Sequence, residues 1–457
     1  MNSFSELPLS EPLLKALAEL EYTEMTPVQA ASLPAILNQR DVVAQAKTGS
    51  GKTAAFALGL LSSLDASVSK VQGLVLCPTR ELADQVSREI RRLASSIPNV
   101  KVTTLCGGVP RRTHINSLTH EPHIAVGTPG RILDLLKKKA LPAQMLKVLV
   151  LDEADRMLDM GFADAITEII EYTPAERQTL MFSATMPNPI RQFSRQFQRA
   201  PLDVTIRSDT DAVLIEQTFY EVQPESKLEA LASLLLHHRP ESVVVFCNTR
   251  QDVRDVHAAL VEQGLSALAL HGELEQRERE EMLVRFANRS CNVLIATDVA
   301  ARGLDIKELP MVINFDVATD ADTHIHRIGR TGRAGSRGMA LTLCAARDAM
   351  RARAIAEQQN TPLHWSKLPR SSGGAAALVA PFITIAVDGG RTDKLRPGDL
   401  LGALTGDAGL PGDAVGKIDV FPTRSYVAIA RNFHGKAVER LRAGKIKGRT
   451  FRVRNIR

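Results

Sequence analysis

The sequence predicts an α/β protein with two lobes, each built on a doubly wound parallel sheet, followed by a small α+β domain. Short apolar runs alternate with amphipathic stretches twice along the chain, the pattern of a parallel sheet wrapped by helices. The last eighty or so residues change to a compact βαββαβ order. The predicted segments are lobe one (1–206), an interlobe linker (207–215), lobe two (216–365), a flexible linker (366–378) and the C-terminal domain (379–457).

Composition excludes several classes of protein. Hydrophobic residues make up 44% of the 457 residues and charged residues 24%, which is ordinary for a globular chain. No apolar run is long enough to span a bilayer, and the first residues lack the basic start and apolar stretch of a signal peptide, so we expect no membrane partner. Five cysteines without CxxC spacing argue against a zinc site or a disulfide framework and favour a cytoplasmic location.

The positive charge is concentrated in the C-terminal part of the chain. From Ser371 onward there are 15 Lys and Arg against 7 Asp and Glu, a net charge of +8, whereas the whole chain carries +6. A basic tail on a near-neutral body is typical of proteins that bind nucleic acid or an acidic membrane surface. Aromatic residues make up only 4%, so the main body is expected to hold nucleic acid by its backbone instead of by base stacking.

The first lobe begins with a candidate phosphate-binding loop between a short apolar strand and a helix. Glycines at 49 and 51 allow successive N–H groups to point inward at phosphate oxygens, and the following helix adds the positive end of its dipole. In such a loop the lysine reaches the outer phosphates and the hydroxyl after it ligates Mg²⁺. The predicted nucleoside triphosphate site comprises Ala46, Lys47, Thr48, Gly49, Ser50, Gly51, Lys52 and Thr53.

Gln29 is a candidate for recognition of the base. It follows Thr26 and Pro27, which are expected to be the N-cap and first residue of a helix. A glutamine amide can pair with both N6 and N7 of adenine, so Gln29 could select ATP.

Polar clusters follow the predicted strands of the first lobe at the point where each strand ends. In doubly wound sheets ligands bind just beyond the carboxyl ends of the strands, so these clusters should line one edge. The clusters are Pro78, Thr79 and Arg80; Gly107 and Gly108; Thr128, Pro129, Gly130 and Arg131; Asp152, Glu153, Ala154 and Asp155; and Ser183, Ala184 and Thr185. In a phosphate-loop enzyme, an acid such as Asp152 after a buried strand holds Mg²⁺, and its neighbour Glu153 can orient the attacking water.

The second lobe repeats the architecture without a phosphate loop. Its motifs include Arg250, Thr297, Asp305 and a segment from His326 to Arg333. Arg330 and Arg333 lie three positions apart with a glycine between them, so both could project from a tight turn. Arginines supplied to a transferring phosphate are worth roughly 10³–10⁵ in rate, which makes these two candidate catalytic residues.

The C-terminal domain has the strand and helix order of an RNA-recognition fold. The strand that would carry stacking aromatics retains Tyr426, but Ala428 and Ala430 leave no stacking row. Recognition must then use other surfaces. The candidates are Lys445, Lys447, Arg449, Arg452 and Arg454.

In order along the chain, Gln29, AKTGSGKT, PTREL, GG, TPGR, DEAD, SAT, ARGLD and HRIGRTGR resemble the motifs of the DEAD-box RNA helicases. The resemblance covers about residues 4–347, and it implies that both lobes are RecA-like. The tail, with GALTGD and GKIKGRTFRVR, is similar to the bacterial DbpA-type branch. One departure is Glu21, which stands where the family usually has glycine.

The resemblance implies a role for each motif residue. ATP and Mg²⁺ would be the cofactors: Gln29 would read adenine, Lys52 bind phosphate, Thr53 and Asp152 hold Mg²⁺, Glu153 position water, Arg330 and Arg333 act on phosphate and Asp305 contact the ribose. Ser183, Thr185 and His326 would couple the nucleotide state to lobe closure. The PTREL, GG and TPGR residues, with Arg250 and Thr297, would grip RNA.

The function implied is an RNA-dependent ATPase that locally unwinds or remodels short duplexes. The DbpA-type tail implies a hairpin of large-subunit ribosomal RNA and an adjacent duplex in a pre-ribosomal particle as partners, with no obligatory protein partner. An ATP-gated RNA clamp, in which hydrolysis only resets binding, is a second possibility, and a DNA helicase is a third.

Overall fold

The structure is a computed structural model that describes residues 3–46, 49–206, 215–301, 309–332, 337–359, 361–369, 378–406 and 409–456. Contacts divide the chain into two compact units, one on either side of the predicted interlobe linker. The first unit holds the first lobe. The second unit holds the second lobe together with the C-terminal domain.

The first lobe is a parallel sheet in the order β3-β4-β2-β5-β6-β1-β7 within the described residues. Most of its strands are buried throughout, as expected when helices cover both faces of a parallel sheet. The strands are β1 (Val42–Gln45), β2 (Gly73–Leu76), β3 (Val102–Leu105), β4 (Ile124–Gly127), β5 (Val148–Asp152), β6 (Gln178–Ser183) and β7 (Leu202–Thr205).

Helices pack on the two faces of this sheet because successive strand side chains point to opposite sides. Val148 and Val150 belong to one apolar core, whereas Leu149 and Leu151 belong to the other. The helices are α1 (Glu11–Glu19), α2 (Pro27–Leu37), α3 (Lys52–Ser62), α4 (Arg80–Leu93), α5 (Arg111–Ser117), α6 (Pro129–Lys137), α7 (Ala154–Asp159), α8 (Ala163–Glu171) and α9 (Asn188–Phe197).

The second lobe is a parallel sheet in the order β10-β11-β9-β12-β13-β8-β14, again within the described residues. Its strands are β8 (Ile215–Glu221), β9 (Val243–Cys247), β10 (Ala267–Leu270), β11 (Val293–Thr297), β12 (Met311–Asn314), β13 (Gly338–Cys344) and β14 (Trp365–Ser366). Its helices are α10 (Lys227–His238), α11 (Arg250–Glu262), α12 (Gln276–Ala287), α13 (Asp298–Ala301), α14 (Ala321–Ile328) and α15 (Ala349–Gln359). The prediction of two doubly wound lobes is confirmed.

The C-terminal domain has the predicted βαββαβ order and an antiparallel sheet in the order β16-β17-β15-β18. Both helices pack on one face of this sheet, where Ile385, Val427 and Ile429 are fully buried. The elements are β15 (Phe382–Val387), α16 (Pro397–Thr405), β16 (Val415–Val420), β17 (Ser425–Ala430), α17 (His434–Ala443) and β18 (Val453–Asn455).

Both predicted linkers have described ends that belong to the second lobe. Ile215 already belongs to β8, and Ser366 pairs with Tyr220 in the sheet of the second lobe. Leu368 packs against the core of this lobe and Leu378 is part of that core. The Ser/Gly-rich composition favoured a tether, but two leucines in the segment gain more by burial than the chain gains by remaining free. Residues 207–214 and 370–377 lie outside the described residues.

The second face of the C-terminal sheet rests on α12 of the second lobe. Tyr426 of β17 is only 3% exposed and forms a small apolar cluster with Val284 and Ala386. The hydroxyls of Ser290 and Thr384 are 2.7 Å apart, and Arg454 lies 3.5 Å from Glu281. The domain is therefore docked on the second lobe.

A search of the described helices for one both long and apolar enough to cross a membrane finds none.

Candidate active site

The polar clusters of the first lobe lie at one edge of its sheet, as predicted, because all the strands are parallel and each cluster follows the carboxyl end of a strand. The strand order also separates two groups of motifs. The neighbours β5, β6 and β1 carry the DEAD, SAT and phosphate-loop segments. The neighbours β3, β4 and β2 carry the GG, TPGR and PTREL segments. The first group forms the phosphate-loop half of the edge. The second group, which includes Arg80 and Arg131, forms its basic half.

The phosphate loop has the backbone geometry that its glycines predict. Gly49 and Gly51 adopt φ values of 87° and 93°, and Gly51 is the N-cap of α3. Lys52 is 6% exposed and its Nζ donates to the carbonyl oxygen of Ala46 at 2.7 Å. The Ala46 N–H donates to the Ser183 carbonyl at 3.0 Å, which joins the loop to the SAT segment. Lys47 and Thr48 lie outside the described residues.

Gln29 contacts the phosphate loop directly. Its Oε1 accepts from the Thr26 N–H at 2.9 Å, and its Nε2 donates to the Gly51 carbonyl at 3.0 Å. A Cβ on Gly51 would lie 2.6 Å from that Nε2, so only glycine allows this approach. One donor and one lone pair of the amide remain for a base. Thr26 and Pro27 begin α2 as predicted.

Glu21, the departure from the family pattern, has φ 59°. This is the left-handed region that favours glycine, so the glycine expected from the resemblance would adopt this backbone without strain.

The two acids of the DEAD segment are both buried. Asp152 ends β5 and is 3% exposed, and burial raises the pKa of its carboxyl to about 7. The positive charge of Lys52 opposes this rise in pKa, and the neighbouring Glu153 adds to it. Glu153 is 5% exposed and is the N-cap of α7, with left-handed φ and ψ of 53°. Such a backbone costs about 1–3 kcal/mol in a residue other than glycine.

Asp155 joins the DEAD segment to the SAT segment. Its Oδ2 accepts from the Thr185 N–H and from the Thr185 hydroxyl, each at 2.9 Å. Its own N–H donates to the Ser183 hydroxyl at 3.3 Å. The predicted coupling residues Ser183 and Thr185 are therefore fixed to the strand end that carries the acids. The sequence pattern gave Asp155 no separate role, although a carboxylate three positions after Asp152 on a short helix was a usable signal.

The sequence pattern does not single out Arg156 either. It is 2% exposed, and its Nη1 lies 2.8 Å from Oε2 of Glu153. An exposed arginine on a helix surface is the common case, and only the fold shows that this one is buried against an acid of the site.

Contacts within and between the motifs stabilise the basic half of the edge. The Thr79 hydroxyl caps α4 by accepting from the Leu82 N–H, and Arg80 lies 3.9 Å from Asp84. The Thr128 hydroxyl accepts from the Gly107 N–H at 3.4 Å, which connects the TPGR and GG segments.

The prolines and glycines of these motifs lie at the ends of elements. Pro78 follows the end of β2 by two residues, and Pro129 is the first residue of α6. A Cβ added to Gly107 or to Gly130 would meet no atom within 4 Å, so the space beside both glycines is open.

Arg131 spans the TPGR and GG segments. Its guanidinium donates to the Val109 carbonyl at 2.8 Å and contacts the ring of His114. Burial, and then the charge of Arg131, lower the pKa of His114 to about 4, so the ring is neutral and accepts from the arginine. Arg131 therefore fixes the loop after Gly108, which has φ 78°.

In the second lobe a fully buried arginine, Arg327, organises the motif ends. It pairs with both carboxylate oxygens of Asp298 at 2.6 and 2.8 Å and donates to Oδ1 of Asn248 at 2.7 Å. The motif spacing alone did not single it out. Thr297 is 8% exposed and its hydroxyl accepts from the Ala300 N–H.

The other predicted residues of this lobe differ in exposure. Arg250 is exposed and pairs with Glu273 at 2.8 Å. His326 is half-buried on α14, and Arg330 is 6% exposed just beyond the end of that helix. Asp305 and Arg333 lie outside the described residues.

The basic residues of the C-terminal domain also differ in their partners. Lys445, Arg449 and Arg452 are exposed. Lys447 donates to the Lys394 carbonyl at 2.9 Å. Arg454 lies 3.3 Å from Asp388 as well as near Glu281, so its charge already has partners inside the protein. An open groove of about 620 Å³ is lined by Arg442, Phe451, Arg452, Val453, Arg454 and Asn455.

Comparison with known families finds three that match successive parts of the chain. They are the DEAD/DEAH box helicase family over residues 26–193, the helicase conserved C-terminal domain over 226–335, and the DbpA RNA binding domain over 384–455. The third matched range falls within the docked C-terminal domain.

Curated relatives agree. The chain is 55% identical over 458 residues to the ATP-dependent RNA helicase DbpA of Escherichia coli K12, covering 100% of both chains. It is 44% identical over 349 residues to the ATP-dependent RNA helicase CshA of Listeria monocytogenes, covering 76% of this chain and 67% of the relative.

Solved helicases share the fold of the two lobes. Saccharomyces cerevisiae Dbp5 bound to RNA and ADP BeF3 is 30% identical with a TM-score of 0.73, covering 80% of this chain and 96% of that one. The DEAD-box helicase Mss116 bound to ssRNA and UDP-BeF is 25% identical with a TM-score of 0.72, covering 81% and 80%. The chain therefore belongs to the DEAD-box ATP-dependent RNA helicases, in the bacterial DbpA-type branch, and is an RNA-dependent ATPase.

Proposed function

We propose that this helicase remodels large-subunit ribosomal RNA during ribosome assembly, in the cytoplasm. Its basic C-terminal domain would bind a ribosomal hairpin in a pre-ribosomal particle, and the two lobes would open an adjacent short duplex. The observation that carries the proposal is the +8 tail folded into a domain with a basic groove and docked on the second lobe. The full-length similarity to DbpA supports it.

In the ATP site, the phosphate loop with Lys52 would bind the phosphates and Gln29 the adenine. The residues present fit Mg²⁺. Burial disfavours the negative charge of the Asp152 carboxylate, so a cation beside it would stabilise that charge, and Thr53 offers a hydroxyl in the first turn of α3. When bound, Mg²⁺ would neutralise charge on the phosphates. Glu153 would orient the attacking water. Asp155 would couple the nucleotide state of the ATP site to Ser183 and Thr185.

The basic half of the edge, on β2, β3 and β4, would hold RNA by its phosphates and 2′-hydroxyls. Open space beside Gly107 and Gly130 supports close approach of an RNA backbone. Arg330 and Arg333 would act on the transferring phosphate, and Asp305 would contact the ribose. His326 would couple the nucleotide state to lobe closure. The residues of the two lobes that would bind RNA are Pro78, Thr79, Arg80, Gly107, Gly108, Thr128, Pro129, Gly130 and Arg131, with Arg250 and Thr297 in the second lobe.

The first prediction tests which RNA is acted on. Replacing Lys445, Lys447 and Arg449 together with glutamine should raise the concentration of a ribosomal hairpin-plus-duplex RNA needed for half-maximal ATPase. It should also flatten the salt dependence of binding, by about 0.7–0.9 in slope for each phosphate that is no longer neutralised. A scrambled RNA of equal length should show little change, since it makes no use of a specific hairpin contact.

The matched control removes three exposed cations from the opposite edge of the first lobe: Arg40, Lys70 and Lys147, which precede β1, β2 and β5. It changes the net charge by the same amount and should leave RNA activation intact. If both triple variants lost preference for the ribosomal RNA equally, the effect would be one of net charge, and the C-terminal domain would not direct the helicase. Crosslinking of the ATP-bound protein to total cellular RNA would identify the RNA independently.

A further inference from the structure

The pair formed by Glu153 and Arg156 is buried beside the ATP site. The side chains of the two residues are 6% and 2% exposed, and Oε2 of Glu153 lies 2.8 Å from Nη1 of Arg156. Exposed ion pairs contribute little to stability, and even buried pairs often could be replaced by apolar residues without loss. Stability alone therefore gives no strong reason for an ion pair at this place.

The surroundings supply another reason. Asp152 and Glu153 are consecutive, buried carboxylates at the end of β5, and their charges repel each other. The charge of Lys52 acts on Asp152, whereas Arg156 pairs with Glu153. Each acid thus has its own cation. Removing Arg156 would take away the cation that lies 2.8 Å from Glu153 and leave the glutamate side chain more free to change rotamer.

The local backbone of α7 brings Arg156 to Glu153. It lies three residues after Glu153, so one turn of α7 brings the two side chains together. Its N–H donates to Oδ1 of Asp155 at 3.0 Å, and Oδ2 of the same aspartate binds Thr185. Its guanidinium donates to Glu153 through Nη1, and its Nε is buried without a hydrogen-bond partner among the described residues.

We propose that Arg156 is a positioning residue for ATP hydrolysis, holding the Glu153 carboxylate in the orientation from which it directs the attacking water. The inference rests on the role proposed above for Glu153. A glutamate side chain has three rotatable bonds, and a displacement of about 1 Å in a reacting geometry can cost about 10²-fold in rate. The backbone of Glu153 is fixed in the left-handed region, and Arg156 fixes the other end of the side chain.

The test compares Arg156→Met with Arg156→Lys at saturating RNA. Methionine keeps much of the apolar stem but removes the charge and the donors. We expect Arg156→Met to lower kcat by about 10²-fold, with little change in the KM for ATP or in the affinity for a fluorescent ADP. Arg156→Lys should restore part of kcat, because lysine keeps the charge but lacks the planar fork of the guanidinium.

Arg177→Met is the matched control for a purely structural effect. Arg177 is also a buried arginine of the first lobe with an Nε that lacks a partner among the described residues, but it precedes β6 at the edge opposite the site. Its replacement should lower the melting midpoint without changing kcat of the folded protein. An equal fall of kcat in both variants would overturn the positioning role.

A double variant provides a second readout, in stability and in turnover. In the free protein, the melting-midpoint shifts of Arg156→Met and Glu153→Gln should not add in the double variant, because the two residues contact each other. In turnover, the double variant should be no slower than Glu153→Gln alone. Additive shifts together with a near-parental kcat in Arg156→Met would overturn the inference.

Glu153→Gln separates this inference from the proposed function. If Glu153→Gln is inactive while Arg156→Met hydrolyses ATP normally, Arg156 has no positioning role and the role of Glu153 stands. If Glu153→Gln hydrolyses ATP at a near-parental rate, the proposed role of Glu153 itself is wrong, and the inference falls with it.

Discussion

Two arginines three positions apart in the second lobe have different surroundings. Arg327 is 1% exposed and is engaged by Asp298, Asn248 and the carbonyl of Asp316. Its contacts account for a structural role, because they tie together the ends of β9, β11 and β12. Arg330 lies beyond the end of α14, and the family resemblance gives it a role on phosphate.

The Arg330→Ala variant should leave ATP affinity nearly intact and lower turnover by at least ~10³, because an arginine that stabilises the transferring phosphate acts in the transition state. Steady-state kinetics at saturating RNA measure this. Arg289→Ala, which removes an arginine with a 62% exposed side chain from the same lobe, is the control. A reduction confined to RNA affinity would move Arg330 from the phosphate to the RNA.

A pH effect on stability is expected from His324. This histidine is 1% exposed, and its Nε2 lies 3.0 Å from Oε1 of Gln217. Burial, with a smaller contribution from the charge of Arg327, lowers its pKa from 6.5 to about 4. Between these pH values the unfolded chain binds a proton that the folded chain does not. Stability is therefore present above pH 6.5 and is lost as the pH falls toward 4.

Urea unfolding of the second lobe at pH 7 and pH 5 tests this. The free energy of unfolding of the parent should fall by about 2 kcal/mol more between the two pH values than that of His324→Gln, from the shift in pKa. The exposed His364 of the same lobe provides the control, since His364→Gln should leave the difference unchanged. Equal pH dependence in the parent and His324→Gln would contradict the assignment.

At the scale of elements, β17 and α12 explain an unusual feature of the sequence. β17 takes the place of the strand that carries stacking aromatics in an RNA-recognition fold, yet it has only Tyr426. In the structure Tyr426 is buried against α12, and Ala386 beside it contacts the same helix region. A face that packs on protein needs small and apolar residues, so the absence of a stacking row follows from the docking.

Tyr426→Ala should loosen this contact. Removing a large buried aromatic side chain costs about 3–5 kcal/mol, so the docked state should become much less populated. Hydrogen exchange of the amides in α12 and of the β17 strand should then accelerate. Tyr172→Ala, at a tyrosine of the first lobe that is 42% exposed, should change neither. Unchanged exchange in α12 would show that the domain is held by its other contacts.

At the scale of the whole molecule, charge and docking act together. The near-neutral lobes carry the ATP and RNA motifs, and the +8 tail forms a domain fixed to the second lobe. RNA bound in the groove beside Arg442 and Arg452 would be held at a set distance from that lobe. The fixed position of the domain on the second lobe would then select the duplex, in addition to the raised concentration of the lobes near the bound RNA.

Docking also decides how the tail should be tested. A chain that ends near Ser371 would remove Leu378 from the core of the second lobe and would expose Val284 of α12. Reduced activity of such a chain would have two causes, impaired RNA binding and a damaged second lobe, and the measurement would not separate them. The triple substitution of Lys445, Lys447 and Arg449 avoids this, because it changes charge and leaves the apolar core in place.

The sequence by itself was enough for everything that depends on local order along the chain. The alternation of strands and helices, the turns that need Gly49 and Gly51, the N-cap at Thr26 and the polar cluster after each strand are all local properties, and the structure has them. Parallel strands then required the clusters to meet at one edge.

Only the tertiary structure decided which side chains meet across that edge and which surfaces pack together. Asp155 with Thr185, Arg327 with Asp298 and Tyr426 with Val284 are pairs that are distant along the chain, and nothing in the sequence of one member identifies the other. The predicted linker of 366–378 likewise packs on the second lobe at its described ends. Its composition describes the free chain, whereas burial of Leu368 and Leu378 depends on an apolar surface that exists only once the second lobe has folded.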